Sequence, residues 1–407
     1  MATACTDDGA APPPESLASV TSTTTVARRV DDGVLRVGIM LPESGDGAAI
    51  GAPLIKAALS ASAAINDAGG VLGNKLEVIG NVDEGSSPST TREAIATLVE
   101  QGVDAVIGPA SSTIALATVP QLMEAGILTC SPTATALALD DLPDRSLFFR
   151  TAPSDSLQAI AIAEQAERTG ALSAVVVNLD DDYGGRLADA TITALRGRGL
   201  NVDDHITFSA DDEILQDKAA AVADSAAGVI IVLADAEHGT RMIGAIGDVA
   251  SDVAGEDDPR IIVNDAMRRA PSDQLITALA PSLRERIIGM SPLASSGAPD
   301  EPPGPYAVNA FDCMNLIALA AAQAGSDDPA AIAAQVSEVS EGGVSCRLFA
   351  ECIALVQSHR NVDYDGPDGP LQIGANGDLA RARFDRWGWG DDGHDVPLPV
   401  GPLAVSR

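Results

Sequence analysis

Lysine and aromatic side chains are scarce in this chain of 407 residues. Only three lysines occur (Lys56, Lys75, Lys218), and 25 basic residues stand against 58 acidic ones, a formal charge of −33. Nucleic-acid phosphates would be repelled over most of such a surface, so neither DNA nor RNA is expected as a partner. No apolar run approaches the roughly 18 residues that cross a bilayer. The four histidines (His205, His238, His359, His394) are scattered and no Cys-x-x-Cys accompanies them, which leaves zinc no spacing to use. A Gly-x-Ser-x-Gly elbow and a Walker loop are both missing, and with them the usual nucleophile and triphosphate cradle. The stretch DYDGPDGP (363–370) lacks the ligand alternation and closing glutamate of an EF-hand loop and reads as a Pro/Gly-rich crossover. Neither catalysis nor a cofactor or metal is expected.

What is present is an apolar fraction of 46%, enough at this length to fill the cores of two α/β lobes. The first residues, MATAC, place small side chains before Cys5, as at the end of a bacterial lipoprotein signal; a chance cysteine is the alternative. The following Pro-, Ser-, Thr- and Asp-rich stretch up to residue 33 has little to bury and reads as a flexible tether. Beyond it, short apolar runs at 34–41, 75–83, 104–108, 127–130, 147–150, 174–178, 228–233, 260–264 and 286–290 predict strands covered on both faces. Helical stretches between them, such as those ended by Gly69–Gly70 and by Gly102, make the order βαβα. Ligands of such doubly wound sheets collect at the carboxyl ends of the strands. The pattern restarts near residue 151, and a Pro-rich passage at 291–305 precedes helices at about 306–324 and 328–340. Several crossovers of the chain would make a hinge.

One glycine-rich turn, VGIMLPESGDGAAIG (37–51), invites a nucleotide reading. Gly45 and Gly47 fit a dinucleotide fingerprint, but Ile50 stands where its third glycine belongs. Two other segments carry more chemistry. In VIGPASSTIALATV a strand ends at Gly108 and Ser111, Ser112 and Thr113 open a helix whose first-turn amides have no internal partner. With the Ser112 hydroxyl they could hold a carboxylate at the positive end of the helix dipole; plain capping is the other reading. In TCSPTATAL, Thr133, Ala134 and Thr135 form a second strand end with exposed carbonyls and hydroxyls, able to accept from an ammonium and donate to a carboxylate. Cys130 and Cys313 each sit in an apolar run and read as buried thiols.

Together, the opening strand and PESGDGAAIG turn, AINDAGGVLGNKLEV, VIGPASST, EAGILTCSPTATAL and LDDDYGG resemble type I periplasmic binding proteins, in particular the leucine/isoleucine/valine-binding group of ABC-transporter receptors. The likeness runs from about residue 34 to 390 in the same order. It implies two doubly wound three-layer α/β lobes joined by a multi-strand hinge: lobe 1 from 34–151 plus 294–366, lobe 2 from 152–293 plus 367–395, and a C-terminal tail at 396–407. It further implies that the glycine turn lines a cleft and binds no nucleotide. By the same resemblance Ser112 holds the ligand carboxylate, and Thr133, Ala134 and Thr135 contribute carbonyl, amide and hydroxyl groups. Tyr183 closes over the ligand from lobe 2, and Asp265 receives its ammonium or else caps a surface helix. Ile50 takes the place of an aromatic wall; Asp235 and Glu237 lie near another pocket position, either inward or as solvent-facing loop acids. Members of the family often carry a cysteine pair spaced like Cys346 and Cys352, which implies a disulfide there if the backbone brings the two together. The expected partners are a small amino acid or related solute and an ABC permease, met by a monomeric extracellular or periplasmic receptor anchored through lipidated Cys5. Sensing of an amide, polyamine or aromatic compound on the same fold is the alternative function.

Overall fold

The computed structural model describes residues 31–44, 47–85, 87–212, 214–250, 258–268, 273–294 and 306–407. Cys5, the tether before residue 31, Gly45 of the opening turn and residues 295–305 of the Pro-rich passage lie outside these. From Arg36 onwards strands and helices alternate: β1 (Arg36–Ile39), α1 (Ala48–Asp67), β2 (Glu77–Asn81), α2 (Pro88–Glu100), β3 (Ala105–Ile107), α3 (Ser112–Glu124), β4 (Leu128–Ser131) and β5 (Phe148–Arg150). The five strands form one parallel sheet in the order β2-β1-β3-β4-β5. Val37, Ile39, Val106, Ile107 and Cys130 are fully buried along it, the reason these strands read as unbroken apolar runs.

A second sheet is built from α4 (Asp155–Arg168), β6 (Ser173–Leu179), α5 (Asp182–Gly197), β7 (Asn201–Phe208), α6 (Gln216–Asp224), β8 (Val229–Leu233), α7 (Ala236–Ala250), β9 (Arg260–Val263), α8 (Asp273–Ala278), α9 (Pro281–Arg284) and β10 (Ile287–Pro292). Its parallel strands run β10-β9-β8-β6-β7. The chain then returns to the first sheet with α10 (Ala307–Ala324), α11 (Pro329–Val336), β11 (Val344–Cys346), α12 (Phe349–Gln357) and β12 (Val362–Tyr364). By length and apolarity α10 could span a bilayer, but it is packed inside lobe 1 against α1, α11 and α12. A last passage brings β13 (Arg381–Trp389), β14 (Asp395–Pro397) and β15 (Leu403–Ser406) onto the second sheet, where β13 pairs antiparallel with β10 and carries the other two. The segment expected as a C-terminal tail at 396–407 therefore carries two strands of the second sheet.

Two glycines show what the opening turn does. A Cβ on Gly51 would lie 1.7 Å from the Pro42 carbonyl oxygen, so the first turn of α1 can pass the β1 loop only as glycine. Gly108 has φ +123° and precedes a cis peptide bond to Pro109; a side chain there would meet the Met40 carbonyl oxygen at 1.9 Å. The first contact seats α1 against the loop after β1, and the second brings the ends of β1 and β3 together.

The crossovers are tied to one another by buried polar groups. Thr151 donates to the Asn309 carbonyl at 2.8 Å, and the Asn309 amide donates to the Thr151 carbonyl at 2.6 Å. Asp378, on the last crossover, accepts from Arg145 (2.6 and 2.9 Å) and from Arg150 (2.7 Å), and Arg150 also pairs with Asp140. Burial pushes the Asp378 carboxyl up, but the guanidinium groups of Arg145 and Arg150 outweigh it and hold it below the usual range. Cys130 and Cys313, expected as separate thiols, form a disulfide that ties β4 to α10. Apolar surroundings bury both, and a separation of 183 along the chain hides the pairing from local sequence. Cys346 and Cys352 are joined as well: the chain leaves β11 and turns before α12 begins, bringing the Cα atoms to 5.4 Å.

Candidate functional site

A cleft of about 800 Å³ opens between the two sheets; a second cavity, beside Phe148 and Val336, holds about 480 Å³. Lobe 1 lines it with Pro42, Ile50, Glu84, the 110–113 segment, Leu116 and residues 133 and 135–138; lobe 2 contributes Asp155, Asp182, Tyr183, Arg186 and Ala266, and Tyr306 stands at the start of α10. These are strand ends and the helix starts that follow them, where a doubly wound sheet places its ligand.

The α3 terminus separates the two readings of its serines. Ser111 is the cap, its Oγ accepting from the Ile114 amide at 3.4 Å. Ser112 is left on the cleft wall, where its Oγ accepts from the Ala136 amide at 3.3 Å and keeps its own proton to donate. Thr133 spends its hydroxyl on the Ala110 carbonyl at 2.6 Å, fastening the two hydroxyl-rich strand ends side by side. Thr135 lines the cleft while its carbonyl accepts from the Asp155 amide at 2.9 Å. Ala134 departs from expectation. It is fully buried and its carbonyl accepts from Arg150, so it faces the hinge cluster and not the cleft.

Tyr183 lines the cleft from lobe 2, and Ile50 lines it from α1. Asp265 is corrected. The residue is 2% exposed, and its carboxyl accepts from the Tyr183 hydroxyl at 3.1 Å and the Tyr306 hydroxyl at 2.8 Å, so it offers no open carboxylate to an ammonium in this arrangement. Asp235 is corrected too. It caps α7, accepting from the amides of Glu237 and His238 and from His238 Nδ1 at 2.7 Å, and neither it nor Glu237 lines the cleft.

Glu84 went unnoticed in the sequence. It follows β2, is 2% exposed, and accepts from the amides of Ala110 (2.5 Å) and Ser111 (3.2 Å) just ahead of α3. Burial raises its pKa to about 7 against the opposing pull of the two amides. Its position just past a parallel strand was the available signal; the acidic turn VDEG around it reads as solvent-facing. Tyr306 and Arg186 were missed as well. Among the described residues no group of three or more His, Cys, Asp or Glu is placed to hold a metal ion.

A periplasmic binding protein family profile matches residues 34–250. A chemotactic signal transduction system substrate-binding protein from Halobacterium salinarum, BasB, is 28% identical over 365 residues, covering 83% of each chain. The Leu/Ile/Val-binding protein BraC3 of Rhizobium johnstonii is 34% identical over 178 residues, 42% of this chain and 47% of that protein. Among solved structures, the branched-chain amino acid transporter substrate-binding protein LivJ of Streptococcus pneumoniae, in complex with isoleucine, superposes with a TM-score of 0.64 at 21% identity, covering 92% of this chain and 100% of that one. These relatives are substrate-binding proteins and not enzymes. Two α/β lobes around a cleft, together with the matched profile, lead to one conclusion: this chain belongs to the periplasmic binding protein family and has its type I fold.

Proposed function

We propose that the chain is an extracellular solute-binding receptor of an ABC importer, and that it captures a small amino acid of the branched-chain type or a related compound between its lobes. The cleft carries the reading. On one wall Ser112 and the first turn of α3 present hydroxyl and amide donors suited to a carboxylate, and beside them Ile50, Leu116 and Leu137 form an apolar surface suited to an aliphatic side chain. Burying a side chain of leucine size there would contribute about 1.5–3 kcal/mol. Tyr183 would meet the ligand only as the lobes approach, so occupancy and closure form one equilibrium. A permease would read the closed pair of lobe surfaces. A monomer anchored through Cys5, with the lobe boundaries set out above except that 396–407 joins lobe 2, belongs to the same proposal.

A second reading, a sensory receptor on the same fold, is favoured by the chemotactic relative that matches 83% of the chain. Both readings share the cleft and differ in the partner of the closed form. The test is thermal unfolding with L-leucine, L-isoleucine and L-valine, since a ligand at 100 times its Kd adds about 2.7 kcal/mol to the native state. A rise in Tm that Ser112→Ala abolishes is expected. Failure of every α-amino acid at millimolar concentration refutes the amino-acid assignment.

A further inference from the structure

The cleft holds a charge that the reading above leaves unused. Arg186, on α5 three residues after Tyr183, shares the cleft-facing side of that helix and is the only basic residue lining the cleft among the described residues. It is exposed, and no hydrogen bond or ion pair joins it to any described residue. Asp182, four residues earlier and also at the cleft, would be its natural helix partner, yet the two do not pair. Several other guanidinium groups of this acid-rich chain find carboxylates, as at Arg36, Arg145, Arg150 and Arg268, but none of those lines the cleft. On the same lobe, the carboxyl of Asp265 is occupied by two tyrosine hydroxyls. Lobe 2 thus brings to the cleft a cation with no partner among the described residues, while the Asp265 carboxyl expected to meet an ammonium is turned to Tyr183 and Tyr306.

We infer that lobe 2 reads the ligand's negative charge through Arg186, so that the cleft selects small apolar carboxylic acids whether or not they carry an α-ammonium. Resting on the cleft as the ligand site, this names what that site discriminates. The ligand's carboxylate lies between the donors at the start of α3 and the Arg186 guanidinium, and a charge-assisted bond across the cleft favours the closed state. A neutral amide in place of the carboxylate leaves the guanidinium without a partner.

The experiment is calorimetric titration of the full chain with three probes: L-leucine, 4-methylpentanoate (leucine's skeleton without the ammonium) and L-leucinamide (without the carboxylate). The same titrations are run on Arg186→Met and Arg186→Lys after confirming that both melt like the parent. Leucine and 4-methylpentanoate should bind within a few fold of each other, and leucinamide at least about tenfold more weakly, the size of one charge-assisted hydrogen bond. Arg186→Met should weaken both acids by about tenfold or more and leave leucinamide unchanged, and Arg186→Lys should recover part of the loss. The inference is overturned if leucine binds and 4-methylpentanoate does not, or if Arg186→Met binds the acids like the parent; either result leaves the cleft standing as the ligand site. If none of the probes binds the parent, the cleft reading itself fails and this inference with it.

Discussion

Glu84→Gln offers a sharp perturbation of the cleft wall. The residue is 2% exposed, and burial lifts the pKa of its carboxyl from 4.5 to about 7. Between those values the native state keeps a proton that the unfolded chain has released, so stability must fall as pH rises. The contribution is complete below pH 4.5 and is lost as pH climbs through 7; a shift of this size corresponds to on the order of 3 kcal/mol. Asp312, buried beside the Tyr364 hydroxyl and lifted to about 8, adds a slope of the same sign, as does the mutual repulsion of a chain with charge −33. Only the difference between parent and variant therefore isolates Glu84. Urea unfolding at pH 5, 6, 7 and 8 and constant ionic strength should show the parent losing stability more steeply than Glu84→Gln, most of the gap developing between pH 5 and 7. Parallel profiles would refute the argument that burial outweighs the Ala110 and Ser111 amides.

Three further outcomes follow from the same structure. Replacing Cys130 and Cys313 by serine should cost about 2–5 kcal/mol in urea unfolding, more than replacing Cys346 and Cys352, because the first pair is 183 residues apart and the second six. Arg150→Met leaves the buried Asp378 with fewer guanidinium partners and should cost about 3 kcal/mol or more, whereas Arg168→Met, which removes an exposed i,i+4 pair with Glu164, should cost less than about 0.5 kcal/mol by the same assay. Raising NaCl from 0.05 to 1 M should raise Tm, since screening relieves repulsion among the excess carboxylates; a Tm that falls would show that the charge is already locally balanced.

The first sheet was legible because its strands are apolar runs flanked by glycine-ended helices, and each predicted strand is recovered within a few residues. β7 was not, because NVDDHITF exposes most of its first half and lacks an unbroken apolar signature. Ser112 and Thr135 could be read from their places just past strand ends. The errors have a common origin in partners that lie far away in sequence. Asp265 turns toward Tyr306, Ala134 toward Arg150, and Cys130 toward Cys313, none of which leaves a local pattern. Glu84 and Arg186 escaped for the opposite reason: in so acidic a chain, charged residues beside helix starts look like solvated surface until the fold sets them in the cleft wall.

The most direct measurement is a crystal structure of the protein grown with L-leucine or 4-methylpentanoate. The ligand's carboxylate should lie within hydrogen-bond distance of Ser112 Oγ at the start of α3, with Tyr183 drawn over it from lobe 2. A ligand bound in another cavity, or one whose carboxylate points away from α3, would contradict it.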